Sequence, residues 1–206
     1  MKEAALGFRV HSGWTTAVAV TMEKGLPSVV AKQRPHLVET FTYAFRQPYH
    51  TAEKMAIGEA REFVGRVQEE ARRLAYRAIL GLQSDSEVQG IKLTRGCLLL
   101  ASGRPLPSLE KILASHALIH TADGELFRDA ILHACARCGL RTESIREKEL
   151  LERAAGILRA QPGALLCRVT QLGKPFGSPW TQDEKFAMLA AWLALGSKPV
   201  PRVRTS

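Results

Sequence analysis

The sequence predicts a single α/β domain built on one mixed sheet, and three observations carry that reading. The first 40 residues hold three segments in which apolar or small residues alternate with polar ones, the period of half-buried strands. A long stretch with apolar residues at three- and four-residue steps follows, which is an amphipathic helix. Then comes the unbroken run Cys97-Leu98-Leu99-Leu100-Ala101, the pattern of a strand covered on both faces. Strands paired first with one another and then separated by helices give antiparallel pairing followed by parallel pairing in one sheet.

Taken in order, Ala4 to Val10 and Thr15 to Thr21 form the first two strands around a tight turn, His11-Ser12-Gly13-Trp14. The turn from Glu23 to Pro27 leads to a third strand, Ser28 to Glu39, carrying Val29, Val30, Leu37 and Val38. Pro35 has no N–H to give to a ladder, so this strand belongs at an edge. Phe41 to His50 shows no period and reads as a loop gathering Tyr43, Phe45, Arg46 and Tyr49, a first candidate binding surface. The amphipathic helix runs from Ala52 to about Leu82, through Ala60, Val64, Val67, Ala71, Ala75 and Ile79, and Gln83 to Gln89 connects it to the next strand. Ile91 to Ala101 is the central parallel strand, and Ser102 to Pro107 is a rigid loop beyond it. A helix from Ser108 to Cys138 ends at Gly139 as a C-cap glycine. Leu140 to Ile145 supplies a short strand, Glu147 to Arg159 a helix, and Ala164 to Leu172 another after Pro162-Gly163. Thr181 and Glu184 form a capping box for a last helix that Gly196 ends. The expected domain is residues 1–196, with 197–206 a basic flexible tail.

Composition narrows the function classes. A hydrophobic content of 46% over 206 residues supports one substantial core. The longest apolar stretches, Cys97 to Ala101 and Ala187 to Leu195, are far shorter than the roughly 20 residues a bilayer requires. The N-terminal residues carry Glu3 and run into a strand pattern rather than a signal-peptide core, so the expected location is the cytoplasm, with all four cysteines reduced. A net charge of +9 favours an anionic partner such as nucleic acid, although arginines on solvated helix faces give the same statistic.

The element order resembles the ribonuclease-H-like arrangement. The segments Ala122-Asp123-Gly124-Glu125-Leu126 and Cys138-Gly139-Leu140-Arg141-Thr142, the succession of helices after them, and the opening Leu6-Gly7-Phe8 resemble the RuvC family of Holliday-junction resolvases. That resemblance implies a homodimer and a site in which carboxylates hold two metal ions for in-line attack on a phosphodiester. The departures from the family are in those carboxylates. Arg9 stands where the resemblance places the first aspartate, and Ala101 or Ser102 where it places a glutamate; only Asp183 and Glu184 fall where it places the final acids. Ordinary two-metal nuclease activity is therefore not expected, and a fixed positive charge at Arg9 suits phosphate binding.

Other constellations have a bland reading beside a functional one. His116 and His120, at i and i+4, share a helix face with Asp123 one turn on, so three ligands plus water could hold a zinc ion. Ala117 occupies the glutamate position of H-E-x-x-H, so the base of that motif is missing. The same segment, with Glu125 and Arg128, is an alternative acid–base or phosphate site, and ordinary helix-face histidines are the bland reading. Cys135-Ala136-Arg137-Cys138 lies at a helix end and reads as packing. Trp192 reads as core, whereas Trp14 and Trp180 are candidates to line a pocket.

Ligands of open α/β sheets bind beyond the carboxyl ends of the parallel strands, so Arg9, Ser102, Arg104, Trp180 and Asp183 are expected to converge there. Arg9→Ala and Arg104→Ala are then expected to weaken binding with little change in melting temperature. Three functions remain open. The first is a nucleic-acid or phospho-ligand binder acting through Arg9, Arg46, Arg104 and the tail. The second is an enzyme, a metal-dependent hydrolase or nuclease, rebuilt around His116, His120 and Asp123 or Glu125. The third is a structural dimer subunit. No cofactor is expected; a divalent metal at His116, His120 and Asp123 is the one candidate.

Overall fold

The computed structural model describes residues 1–101, 103 and 105–196; Ser102, Arg104 and the tail 197–206, all named above, lie outside the described residues. Five strands, β1 (Lys2–His11), β2 (Trp14–Glu23), β3 (Leu26–Gln33), β4 (Ile91–Leu100) and β5 (Arg141–Arg146), form one sheet in the order β3-β2-β1-β4-β5. β1 pairs antiparallel with β2, and β2 with β3, while β1, β4 and β5 run parallel, as the sequence predicts. Their carboxyl ends therefore share one rim.

The period-2 pattern of β1 sorts its side chains between two layers. Ala4, Leu6, Phe8 and Val10 join Leu98 beneath the long helices α3 (Ile57–Val88) and α5 (His116–Arg137). Ala5, with Cys97 and Leu99 of β4, faces α6 (Leu150–Leu158), α7 (Pro162–Leu172) and α8 (Gln182–Gly196). On that second face α8 crosses the sheet at close quarters. A Cβ added to Gly7 would lie 1.8 Å from the Ala187 carbonyl oxygen and 2.7 Å from the Ala191 nitrogen. Only a glycine on the strand, met by alanines on the helix, permits that approach.

Four elements differ from expectation. β3 stops at Gln33, before Pro35; Leu37 and Val38 are buried from irregular chain, with Leu37 N–H donating to the Gly13 carbonyl. The Phe41 to His50 loop contains two short helices, α1 (Tyr43–Arg46) and α2 (Pro48–Ala52), the second begun by a proline suited to a first helical turn. α3 continues through the supposed connector to Val88, because no glycine or proline interrupts 82–88 and an extra turn buries Leu82 and Ser86; Gly90, at φ 72°, then turns the chain. The predicted helix from Ser108 to Cys138 is broken into α4 (Leu109–Leu113) and α5 at an extended Ser115. In one straight helix Ile112 and Ile119 would stand about 10.5 Å apart along the axis; the break lets both join a small core with Ala122.

Candidate functional site

Arg9 and His11, odd-numbered residues near the end of β1, point to the α8 side of the sheet past Gly7. Arg9 Nε and Nη2 donate to Glu147 Oε2 and Oε1 at 2.9 and 2.7 Å, and Nη1 donates to Asp183 Oδ1. Glu147 opens a 3-10 turn, Glu147–Glu149, directly after β5, and Asp183 lies in the first turn of α8. His11 Nε2 is 3.0 Å from the same Asp183 oxygen. Arg34, just beyond β3, reaches Glu184 Oε1 at 2.6 Å through Nη2, and its Nη2 lies 3.5 Å from Asp183 Oδ2. Glu184 closes the predicted capping box, accepting from Thr181 N–H at 2.7 Å.

The electrostatics of this network are matched. Burial alone would raise the Asp183 carboxyl, but hydrogen bonds from Arg9 and His11 and their nearby charge outweigh it and hold the group below the usual carboxylate range. Glu184 is likewise lowered against its burial, by the Thr181 and Arg34 hydrogen bonds. The Arg9 guanidinium is raised, chiefly by its bond to Glu147.

Beside Arg9 an open cleft of about 490 Å³ is lined by Ala101, Arg128, Glu147, Lys148 and Phe186. A second opening of about 410 Å³ shares Ala101 and Arg128 and adds His11, Ser12, His120 and Glu125. The two form a continuous rim at the carboxyl ends of β1, β4 and β5. Arg128 Nη1 donates to Glu125 at 3.1 Å. Arg46 Nε donates to the Ser12 carbonyl at 3.2 Å, and its guanidinium lies 4.5 Å over the Phe41 ring. Trp14 stacks on His11 with 4.2 Å between ring centroids, and Arg34 lies 5.1 Å over it.

Of the residues expected to converge, Arg9 and Asp183 meet. Trp180 turns elsewhere: its indole donates to the Val169 carbonyl at 2.9 Å and covers Gly173, because the bare glycine leaves a flat seat at the end of α7. Ser102 and Arg104 lie outside the described residues. His116 and His120 do come together, with Nε2 atoms 3.1 Å apart. Asp123 does not join them as a direct ligand; it is buried and accepts from Tyr49 N–H at 2.7 Å and from the His50 ring. Burial pushes its carboxyl up, against those hydrogen bonds. Cys135 is buried in the core and its thiol is pushed up to about 12 by burial, in keeping with packing.

Reading the sequence missed Glu147, Arg34 and His50. Glu147 carried a usable signal, since it is the first residue past a strand whose carboxyl end faces the rim. Arg34 falls in the segment read as a third strand but lies past the real end of β3, and His50 falls in a segment read as a loop that forms α2, so neither side chain's direction could be read from the pattern.

No protein-family model matches the chain, and no curated protein does. Solved structures do match. Thermus thermophilus RuvC in complex with a Holliday junction substrate superposes with a TM-score of 0.53 at 9% identity, over 94% of this chain and 93% of that one. A second structure of Thermus thermophilus RuvC superposes with a TM-score of 0.52 at 10% identity, with the same shares of both chains. With three antiparallel strands, two parallel ones and helices on both faces, and with that superposition over nearly the whole of both chains, the chain has the ribonuclease-H-like fold in the arrangement found in RuvC.

Proposed function

We propose that the chain binds nucleic acid through its phosphates along the rim where β1, β4 and β5 end, and does not cleave it by the two-metal route. The observation that carries this reading is the Arg9 guanidinium held between Glu147 and Asp183. In-line cleavage requires divalent charge beside the entering and leaving oxygens. Here Glu147 and Asp183 are already satisfied by a fixed cation, which would repel an incoming divalent ion.

Because Arg9 directs its donors to Glu147 and Asp183, gripping phosphate falls to other rim cations: Lys148 and Arg128, the latter held by Glu125 through Nη1, with Arg46 beside Ser12. The net charge of +9 supplies the long-range attraction. The superposed RuvC structure holds a Holliday junction, which makes a four-way junction the first probe. The homodimer and the cytoplasmic location implied by the sequence belong to the same proposal, and sedimentation tests the former.

The test is fluorescence anisotropy with a labelled four-way junction and a linear duplex across a salt series. Log affinity should fall linearly with log salt concentration, and Arg128→Ala with Lys148→Ala should flatten that slope by about two phosphate contacts. Binding insensitive to salt overturns the proposal, as does magnesium- or manganese-dependent cleavage that Asp183→Asn abolishes.

A further inference from the structure

We propose that His50, His116 and His120 form a three-imidazole site for a zinc-like divalent ion, with Asp123 as the carboxylate that orients His50. The site is separate from the Arg9 network, and its assignment does not rest on nucleic-acid binding. It is assembled from the start of α5 and from α2, a short helix in the segment that the sequence pattern reads as a loop. The break at Ser115 starts α5 at His116, putting His116 and His120 on one face of its first turns. α2 carries His50 across to meet them.

The ligand-competent atoms of the three rings lie within 4.8 Å of one another. Zinc held tetrahedrally at Zn–N distances near 2.0–2.1 Å spaces its nitrogens by about 3.3 Å. The two helix histidines are already at 3.1 Å, so small side-chain rotations close the set. His50 is committed to the geometry by its other nitrogen. Its Nδ1 bonds Asp123 Oδ2, which leaves Nε2 for the cluster, and its side chain is only 8% exposed.

Asp123 is itself fixed by Tyr49 N–H at 2.7 Å. A carboxylate that sets the tautomer and direction of a ligating imidazole is the usual outer partner of a histidine-bound metal. A hydrogen bond between the two imidazoles accounts for His116 and His120 alone. It gives no reason for a third ring, fixed from behind, to stand edge-on to both at centroid distances of 5.4 and 4.4 Å.

Three nitrogen donors favour zinc and its late-transition neighbours over magnesium or calcium, which prefer oxygen. Three protein ligands also leave one coordination position, as in zinc sites that bind water or an anion rather than purely structural ones. His120 lines the second opening together with Glu125 and Arg128, so such an ion would border the rim.

Full-length protein, purified without a polyhistidine tag and stripped with chelator, should be titrated with cobalt(II) and then zinc. One equivalent of cobalt should bind, with visible d–d bands of low coordination number and no thiolate charge-transfer band, and zinc should displace it. The double variant His116→Ala/His120→Ala changes exposed side chains and should lower zinc affinity at least 100-fold with an unchanged circular dichroism spectrum. Asp123→Asn should lower it about 10- to 100-fold. Less than one equivalent bound, affinity retained in the double variant, or a thiolate band pointing to Cys135 and Cys138 would each overturn the proposal. None of these readouts uses nucleic acid, so failure here is distinguishable from failure of the binding proposal.

Discussion

Arg9 grips Glu147 through two parallel N–H···O bonds of 2.9 and 2.7 Å, joining the first strand of the sheet to the turn after its last across 138 positions of chain. The pairing is bidentate, the geometry in which a guanidinium and a carboxylate interact most strongly. The Arg9 side chain is 20% exposed and Glu147 34%, so solvent screens the pair only in part.

This contact changes what Arg9→Ala should do. Little change in melting temperature is the expectation from sequence, where Arg9 has no visible partner. With Glu147 losing its Arg9 partner and Asp183 keeping only His11 and Arg34, the expected loss is about 1–2 kcal/mol, or several degrees in melting temperature. A double-mutant cycle with Glu147→Gln should return a coupling energy of at least about 0.5 kcal/mol; additive losses would mean that the bonds contribute no stability.

Gly7 and Gly65 provide a matched pair of opposite sign. A methyl at Gly7 meets the backbone of α8 at 1.8 Å, so Gly7→Ala must push that helix off the sheet and should cost at least about 1–3 kcal/mol. A methyl at Gly65, inside α3, meets nothing within 4 Å, so Gly65→Ala should gain about 0.5–1 kcal/mol from helix propensity. Chemical denaturation of both variants checks this, and equal effects would refute the close β1–α8 approach.

How much was legible follows from where the signals lie. Strand alternation in β1 and β2 and the run from Cys97 to Leu100 are set by local burial, and burial has a period that sequence displays. The break at Ser115 depends on Ile112 meeting Ile119 and Ala122, a contact no local pattern reports. For the candidate site, the placement of Arg9 and Asp183 followed from the resemblance, while Glu147 and Arg34 complete the charge balance only through contacts spanning more than a hundred residues. His50 likewise meets Asp123 across 73 positions.

Leu99 is 2% exposed in the layer of side chains beneath α6, α7 and α8. Leu99→Asp would bury a carboxylate with apolar neighbours, at a cost of several kcal/mol against a typical domain stability of about 5–15 kcal/mol. The variant should lack a cooperative thermal transition. A soluble protein that unfolds cooperatively would contradict the placement of β4.

The acid stability of the protein should depend on Asp183. Its folded-state pKa is depressed, because the Arg9 and His11 contacts outweigh burial, so its contribution to stability is fully present above the unfolded carboxyl value near 3.9. That contribution drains away as pH falls through the lower folded value. Glu184, depressed by Thr181 and Arg34, acts in the same direction. Asp183→Asn removes one of the two carboxylates around Arg9, so the variant should melt below the parent at pH 7. It also has one fewer group that must take up a proton in acid, so its melting temperature should decline less steeply between about pH 5 and pH 2, and the two curves should converge there. Differential scanning calorimetry over that range decides the matter. Parallel curves would show that Asp183 titrates alike in the folded and unfolded chains, and that the Arg9 and His11 contacts do not stabilise its charged form.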